Sequence, residues 1–230
     1  HYTGMQTGQA ALDRMCDPSA EVSAHYMIWE DGRIVQLVGE DKRAWHAGVS
    51  SWQGDGDLNS RSIGVEIVNG GHDFLLDDGV LPPYPRAQVD ALVELCDGIL
   101  TRWTIPPTRI VGHSDIAPGR KADPGEHFPW EGLARAGIGL WPLAASEHPV
   151  VIPDIAITGL KPGDRSSGVG RLQAMLGEIG YRLDVTEQYD PATEAVVRAF
   201  QQRWVPDLVS GTADAQTLRM IGLVHPLYVN

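Results

Sequence analysis

Hydrophobic and polar positions alternate from Val22 to Trp29. Val22, Ala24, Tyr26 and Ile28 share one face, and Ser23, His25, Met27 and Trp29 the other, which is the period of a strand. Glu30-Asp31-Gly32-Arg33 reads as a turn, and Ile34 to Val38 as the returning strand of a hairpin. Ser62 to Val68 predicts a third strand. Beyond its first residue it is polar only at Glu66, which suggests a strand covered on both faces. A short helix is expected over Gly8 to Cys16. After Pro82, Pro83 and Pro85 a long helix is expected from about Arg86 to Trp103, with Val89, Leu92, Val93, Cys96 and Leu100 as its apolar stripe. Pro106-Pro107 ends that segment. Ile110-Val111 predicts a short strand feeding a loop from His113 to Pro129, and Trp130 to Ala136 another short helix. This order of elements predicts an α/β or α+β fold with helices packed on one sheet.

A different pattern follows. From about Trp141 to Gly163 the chain carries Pro142, Pro149, Pro153 and Pro162 without a helical or strand period, which predicts a linker. Three helices are expected beyond it. The first runs over about 168–179, with Val169, Leu172, Met175, Leu176 and Ile179 on one face. The second runs over 191–204 with Val196, Val197 and Phe200; Asp190 stands at its N-cap and Pro191 at its first position. The third covers about 215–221. Asp190-Pro-Ala-Thr193 and Asp214-Ala-Gln-Thr217 form a weak internal repeat, 24 residues apart. The expected organisation is a domain over 1–142, a linker over 143–162 and a small all-α three-helix domain over 163–230.

Composition narrows the function. At roughly 100–200 residues per domain, 230 residues accommodate one or two domains. The net charge of −12 lacks the basic footprint of a nucleic-acid binder. The charge is uneven: residues 1–150 hold 11 Lys+Arg against 21 Asp+Glu, and the remainder 7 against 9, so the two parts differ in kind. No apolar run approaches the ~18–20 residues of a membrane helix. Cys16 and Cys96 have no metal-like spacing and are expected to be two buried thiols.

The densest polar stretch is Val111-Gly-His113-Ser-Asp115-Ile-Ala-Pro-Gly-Arg120-Lys121-Ala-Asp123-Pro-Gly125, a loop rich in breakers and ionisable groups. His113 and Asp123 are both able ligands for zinc, and a third ligand would come from His1, His25, His46, His72 or His127. Metal-assisted hydrolysis also needs a base for water and a cation for the developing oxyanion. Glu66, alone among apolar strand residues, suits the first role, and Lys121 the second. Asp115 reads as a loop-stabilising acceptor. His25 and His46 either contact substrate or pack in the interior, and Trp52 is a candidate for the groove wall beside His46. His72, His127, His148 and His225 read as structural or solvated.

Five segments carry a resemblance: His1-Tyr-Thr-Gly4, Val22-Ser-Ala-His25-Tyr26, Trp45-His-Ala-Gly48, Asn59-Ser-Arg-Ser-Ile-Gly-Val-Glu66, and Gly112-His113 through Asp123-Pro-Gly125. Together, over about residues 1–141, they resemble the zinc-dependent N-acetylmuramoyl-L-alanine amidases of bacteria, which share the fold of peptidoglycan-recognition proteins. Gly168-Val-x-x-Leu172-Gln173, Gly180-Tyr181, Thr193-x-Ala195-Val196 and Phe200-Gln201 resemble the three-helix peptidoglycan-binding domain. The resemblance implies a mixed central sheet flanked by helices, and one Zn2+ ion held by His1, His113 and Asp123. It implies Glu66 as general base, Lys121 as the cation for the tetrahedral intermediate, and His25, Tyr26, His46 and Trp52 as candidate substrate contacts. The implied reaction is hydrolysis of the amide between N-acetylmuramic acid and L-alanine, with peptidoglycan or a muropeptide as partner. It further implies a strand ending at His1-Tyr-Thr, so the sequence, which opens on His rather than Met, is expected to lack its true N-terminus.

Three other readings compete. A non-catalytic peptidoglycan receptor on the same fold would have lost a zinc ligand. A stem-peptide metalloendopeptidase would cut elsewhere in the same substrate. A copper chelate at His1 would need a mature terminus there. A wall-binding unit favours the bacterial envelope side as compartment, although a cytoplasmic recycling enzyme would be free to keep one.

Overall fold

The computed structural model describes residues 1–142, 152 and 159–229. Most of the expected linker, 143–162, lies outside the described residues. The chain forms two compact units, one of His1–Ser50, Gly56–Ile105 and Asp123–Phe128, the other of Ser51–Asp55, Pro106–Ala122 and Pro129–Asn230.

The first unit is built on a three-stranded sheet of β1 (Tyr26–Ile28), β2 (Ile34–Gln36) and β3 (Val65–Ile67), in the order β2-β1-β3. β1 pairs antiparallel with β2 (Tyr26 opposite Gln36) and parallel with β3 (Tyr26 opposite Val65), so the sheet is mixed. The chain start extends it. Tyr2 bridges Ile67 in parallel, with Ile67 N donating to the His1 carbonyl and Thr3 N to the Ile67 carbonyl. The strands are shorter than their hydrophobic patterns because flanking residues find other partners. Ser23 N donates to the Trp45 carbonyl, and both His25 N and Tyr26 N converge on the Gly64 carbonyl. The strand covered on both faces is β1, whose three residues are all buried, rather than β3, where Val65 and Glu66 keep partial exposure.

Helix α1 (Gly8–Cys16) starts on Thr7, whose side chain accepts from Ala10 N. Its buried face is Gly8 and Ala11, which leaves Cys16 exposed, contrary to the expected buried thiol. Cys96 is half-buried; both thiols are free, and burial pushes that of Cys96 up to about 11. Helix α2 (Arg86–Arg102) buries Gln88, Leu92, Leu95 and Ile99, a stripe turned by about one position from the one predicted. The cause is Gln88. Its amide is fully buried and donates to the carbonyls of Ile28 and Val68, just where β1 and β3 end.

In the second unit the expected strand at Ile110-Val111 is absent. A turn over Pro107–Arg109 leads instead into a one-turn helix, α3 (His113–Ile116), which opens on His113. α4 (Trp130–Arg135), α5 (Ser167–Ile179), α6 (Pro191–Trp204), α7 (Ala215–Val224) and an unforeseen short α8 (Pro226–Val229) follow. Ser166, Asp190 and Asp214 cap α5, α6 and α7 through their side chains. Leu172, Leu176, Ile179, Val197, Phe200, Trp204 and Ile221 form the core. The internal repeat has a physical basis. Gln173 of α5 donates to Thr193 Oγ1 at the start of α6 (2.8 Å), and Gln201 of α6 donates to Thr217 Oγ1 at the start of α7 (2.9 Å). The amide oxygens of these glutamines accept from the backbones of Thr186 and Glu187 and of Gly211.

No helix of the described residues is long and apolar enough to cross a membrane.

Candidate metal centre

His1 sits on the extended segment beside β3, held there because its backbone nitrogen donates to the Val65 carbonyl. Its Nδ1 lies 2.8 Å from Asp123 Oδ2, and its Nε2 lies 3.2 Å from His46 Nδ1. Asp123 is buried and precedes a cis proline, Pro124. His113 is buried at the first position of α3, and Arg120 Nη2 lies 3.4 Å from its Nε2. His1, His113 and Asp123 each offer one ligand atom, and these atoms all lie within 4.8 Å of one another. Zinc bonds of 2.0–2.2 Å in a tetrahedron place ligand atoms roughly 3.3–3.6 Å apart, so small adjustments bring two imidazoles and a carboxylate onto one ion. This borderline N/O donor set of two imidazoles and one carboxylate suits zinc.

Glu66 stands at the centre of β3, opposite Met27 of β1, and is half-buried. Glu66 and Asp123 both bear on Tyr84. Burial, then the charge of Asp123, raises the Tyr84 hydroxyl well above its ordinary range, and Glu66 adds to the shift. That hydroxyl donates to the Pro124 carbonyl (2.8 Å), so Tyr84 braces the turn after Asp123. Its ring stacks on His127 (centroids 4.8 Å apart), whose imidazole burial pushes down to about 4. Tyr2, pushed up to about 12 by burial, lies 3.1 Å from His72 Nδ1, and the other nitrogen of His72 pairs with Glu126. Lys121 is exposed, its backbone anchored on the Ala117 carbonyl.

The four candidate substrate contacts separate. His46 is half-buried, edge-on to both His1 and His25, and lies beside the ligand set. The other three face inward. His25 is fully buried; its Nδ1 accepts from Gly64 N and its Nε2 bonds the Lys42 carbonyl, so both ring nitrogens are engaged by backbone. Tyr26 donates to Glu40, and Trp52 donates its indole N–H to the Thr108 carbonyl. None of these three offers a free polar atom to a ligand, and each is better described as a support. Asp115 fits the expected acceptor role: it accepts from Gly112 N, Tyr181 and Arg203. Sequence reasoning missed Tyr84 and Arg203. A tyrosine between prolines and an arginine on a helix carry no signal of where they end.

Residues 1–126 match the N-acetylmuramoyl-L-alanine amidase family model, more than half of the chain. The chain belongs to that family. Residues 165–221 of this amidase match a model for a peptidoglycan binding domain. The amidase is 39% identical over 225 residues to N-acetylmuramoyl-L-alanine amidase AmiD of Escherichia coli, covering 94% of this chain and 77% of that one. The solved complex of AmiD with anhydro-N-acetylmuramic acid-L-Ala-D-gamma-Glu-L-Lys has a TM-score of 0.81 and 35% identity, over 100% of this chain and 88% of that chain. AmpDh3 of Pseudomonas aeruginosa, solved with an anhydromuramic pentapeptide, has a TM-score of 0.81 and 33% identity, over 99% and 90%.

Proposed function

We propose that this amidase cleaves the amide between the lactyl carbonyl of N-acetylmuramic acid and L-alanine using one zinc ion held by His1, His113 and Asp123. The carrying observation is the approach of their three ligand atoms to within 4.8 Å. When bound, zinc would polarise the carbonyl and lower the pKa of a water toward ~7. Glu66 takes a proton from the attacking water and returns it to the leaving nitrogen. The water oxygen bonds the carbonyl carbon, the C–N bond breaks, and the products are a muramic acid carboxylate and a peptide with a free amine. Lys121 lends positive charge to the oxygen that gains electrons. His46 lines the site beside His1, and His25, Tyr26 and Trp52 complete the proposed set.

The relatives solved with anhydromuramyl peptides make such soluble fragments the first substrate to try. Residues 1–142 would carry the chemistry and residues 163–230 would hold the polymer, raising local substrate concentration. The relatives are bacterial, and a wall-holding module favours the envelope side as the place of action.

The test is mass spectrometry of an anhydromuramyl peptide incubated with the protein, with and without a chelator. Release of a peptide beginning with L-alanine, lost with chelator and restored by zinc, is expected. Asp123→Ala should abolish both zinc binding and cleavage. Cleavage within the peptide would replace this reading with an endopeptidase. Uncut substrate that co-purifies with the protein would replace it with a receptor.

A further inference from the structure

The second unit contains a buried ion pair that the proposed chemistry does not use. Arg203 of α6 and Asp115 of α3 are each about 1% exposed at the side chain, with Arg203 Nη1 2.9 Å from Asp115 Oδ2. The same Oδ2 accepts from Gly112 N (2.9 Å), and Oδ1 accepts from the Tyr181 hydroxyl (2.8 Å). The guanidinium carbon lies 4.1 Å from the ring centre of Trp130 and 4.6 Å from that of Trp204. Among the described residues Arg203 Nε and Nη2 have no hydrogen-bond partner, so the two indole faces are what offset their burial. A carboxylate and a guanidinium are costly to bury, and such pairs are weak stabilisers but strong selectors of one geometry.

That geometry has an address. α3 is a single turn, too short to hold its own shape. It begins with His113, and Asp115 closes its N-terminus. Two further approaches of α6 flank the same segment. Gly119, at φ +74°, leaves space where a Cβ would lie 3.1 Å from the Ala195 methyl. Gln202 Nε2 reaches the Ala122 carbonyl at 3.5 Å.

We propose that Arg203 is a positioning residue for the metal centre: with Tyr181 it fixes Asp115, and through Asp115 the one-turn helix that aims the His113 imidazole. The helical module is thereby a working part of the metal centre as well as a holder of polymer. This rests on His113 being a zinc ligand. Groups that orient metal ligands typically change affinity 10–100-fold when removed.

The experiment measures zinc affinity of the full chain by competition with a chromophoric chelator, and the visible spectrum of the cobalt-substituted protein. Arg203→Met should lose zinc affinity by roughly 10–100-fold and alter the cobalt spectrum. Arg203→Lys should recover part of the affinity, and Tyr181→Phe, which removes one hydroxyl, should lose only a few-fold. Leu218→Ala on α7 is the control: it should lower thermal stability and leave affinity and spectrum as in the wild type. Should Arg203→Met fail to fold, the graded losses in Arg203→Lys and Tyr181→Phe carry the test. Wild-type affinity and spectrum in the folded variants, or equal losses in the Leu218→Ala control, would overturn the proposal. Failure of the wild type to bind zinc would instead overturn the metal assignment.

Discussion

Gly64 is the point where crowding beside the proposed metal ligands is most readily measured. A Cβ added there would lie 2.4 Å from His46 Cγ, 2.5 Å from Nδ1 and 2.7 Å from Cδ2. Ordinary contact would require the ring to retreat by about 1 Å. The backbone has little freedom to give, since the amides of His46 and Ala47 both donate to Asn59 Oδ1. The ring must therefore swing, and it then loses its 3.2 Å contact with His1 Nε2. Overpacking costs about 1–3 kcal/mol and the lost hydrogen bond about 0.5–1.5 kcal/mol, together about 1.5–4.5 kcal/mol. At about 2–4 °C per kcal/mol for a chain of this size, Gly64→Ala should melt roughly 3–18 °C lower. Because His46 steadies His1, zinc affinity should fall roughly 10-fold or more as well. The assays are thermal unfolding by circular dichroism and chelator competition, run as a double-mutant cycle with His46→Ala. With the ring gone, the added methyl should cost under about 0.5 kcal/mol. A Gly64→Ala protein that melts and binds zinc as the wild type does, or a cycle with no coupling, would refute the idea that His46 is wedged between Gly64 and His1.

Three further outcomes follow from the same contacts. Glu66→Gln should retain zinc and reduce kcat on an anhydromuramyl peptide by roughly 10²-fold or more; loss of the metal in this variant would reassign Glu66 to coordination. Glu40 is held down to about 2, chiefly by the Arg102 guanidinium and also by the Tyr26 hydroxyl and Trp103 indole. Its folded value lies below its ordinary 4.5, so its contribution to stability is complete above that pH and is lost as pH falls toward 2. Glu40→Gln should flatten this acid limb of the unfolding curve; an unchanged limb would mean that other carboxylates set it. Gln88→Met removes two buried donors from the carbonyls of Ile28 and Val68 and should destabilise by about 1–3 kcal/mol in denaturant titrations, with no change in zinc affinity.

Helices were readable where a cap and a stripe agreed. Asp190-Pro191 opens α6 and the helix ends at Trp204, both as expected, because capping and apolar spacing are local properties. Strand lengths were not readable, since partners such as the Trp45 carbonyl for Ser23 N come from elsewhere in the chain. The α2 stripe lies about one residue away from the apolar pattern because a glutamine is polar in sequence even where two strand ends need its amide. At the site, the ligand-type residues stood out by chemistry and by resemblance, and Asp115 was read correctly as an acceptor. Its principal donor was invisible: Arg203 lies 88 positions away and looks in sequence like any solvated helix charge. Likewise His25 and Trp52 carry the residue types of a binding groove, and only the fold reveals that their polar atoms are already committed to backbone.

The position of α6 has a consequence for how such a chain can change over time. Thr193 at its start receives a bond from Gln173, and Gln201 in its body gives one to Thr217, so the helix is the shared rung of both halves of the repeat. Two residues further on, the same helix presents Arg203 to Asp115. A module added merely as a handle could be swapped for another handle without altering the blade. Here Arg203 and Asp115 act as one rivet between α6 and α3, so substitutions at the two positions are expected to drift together, and a graft that replaces α6 while keeping α3 would require the rivet to travel with it.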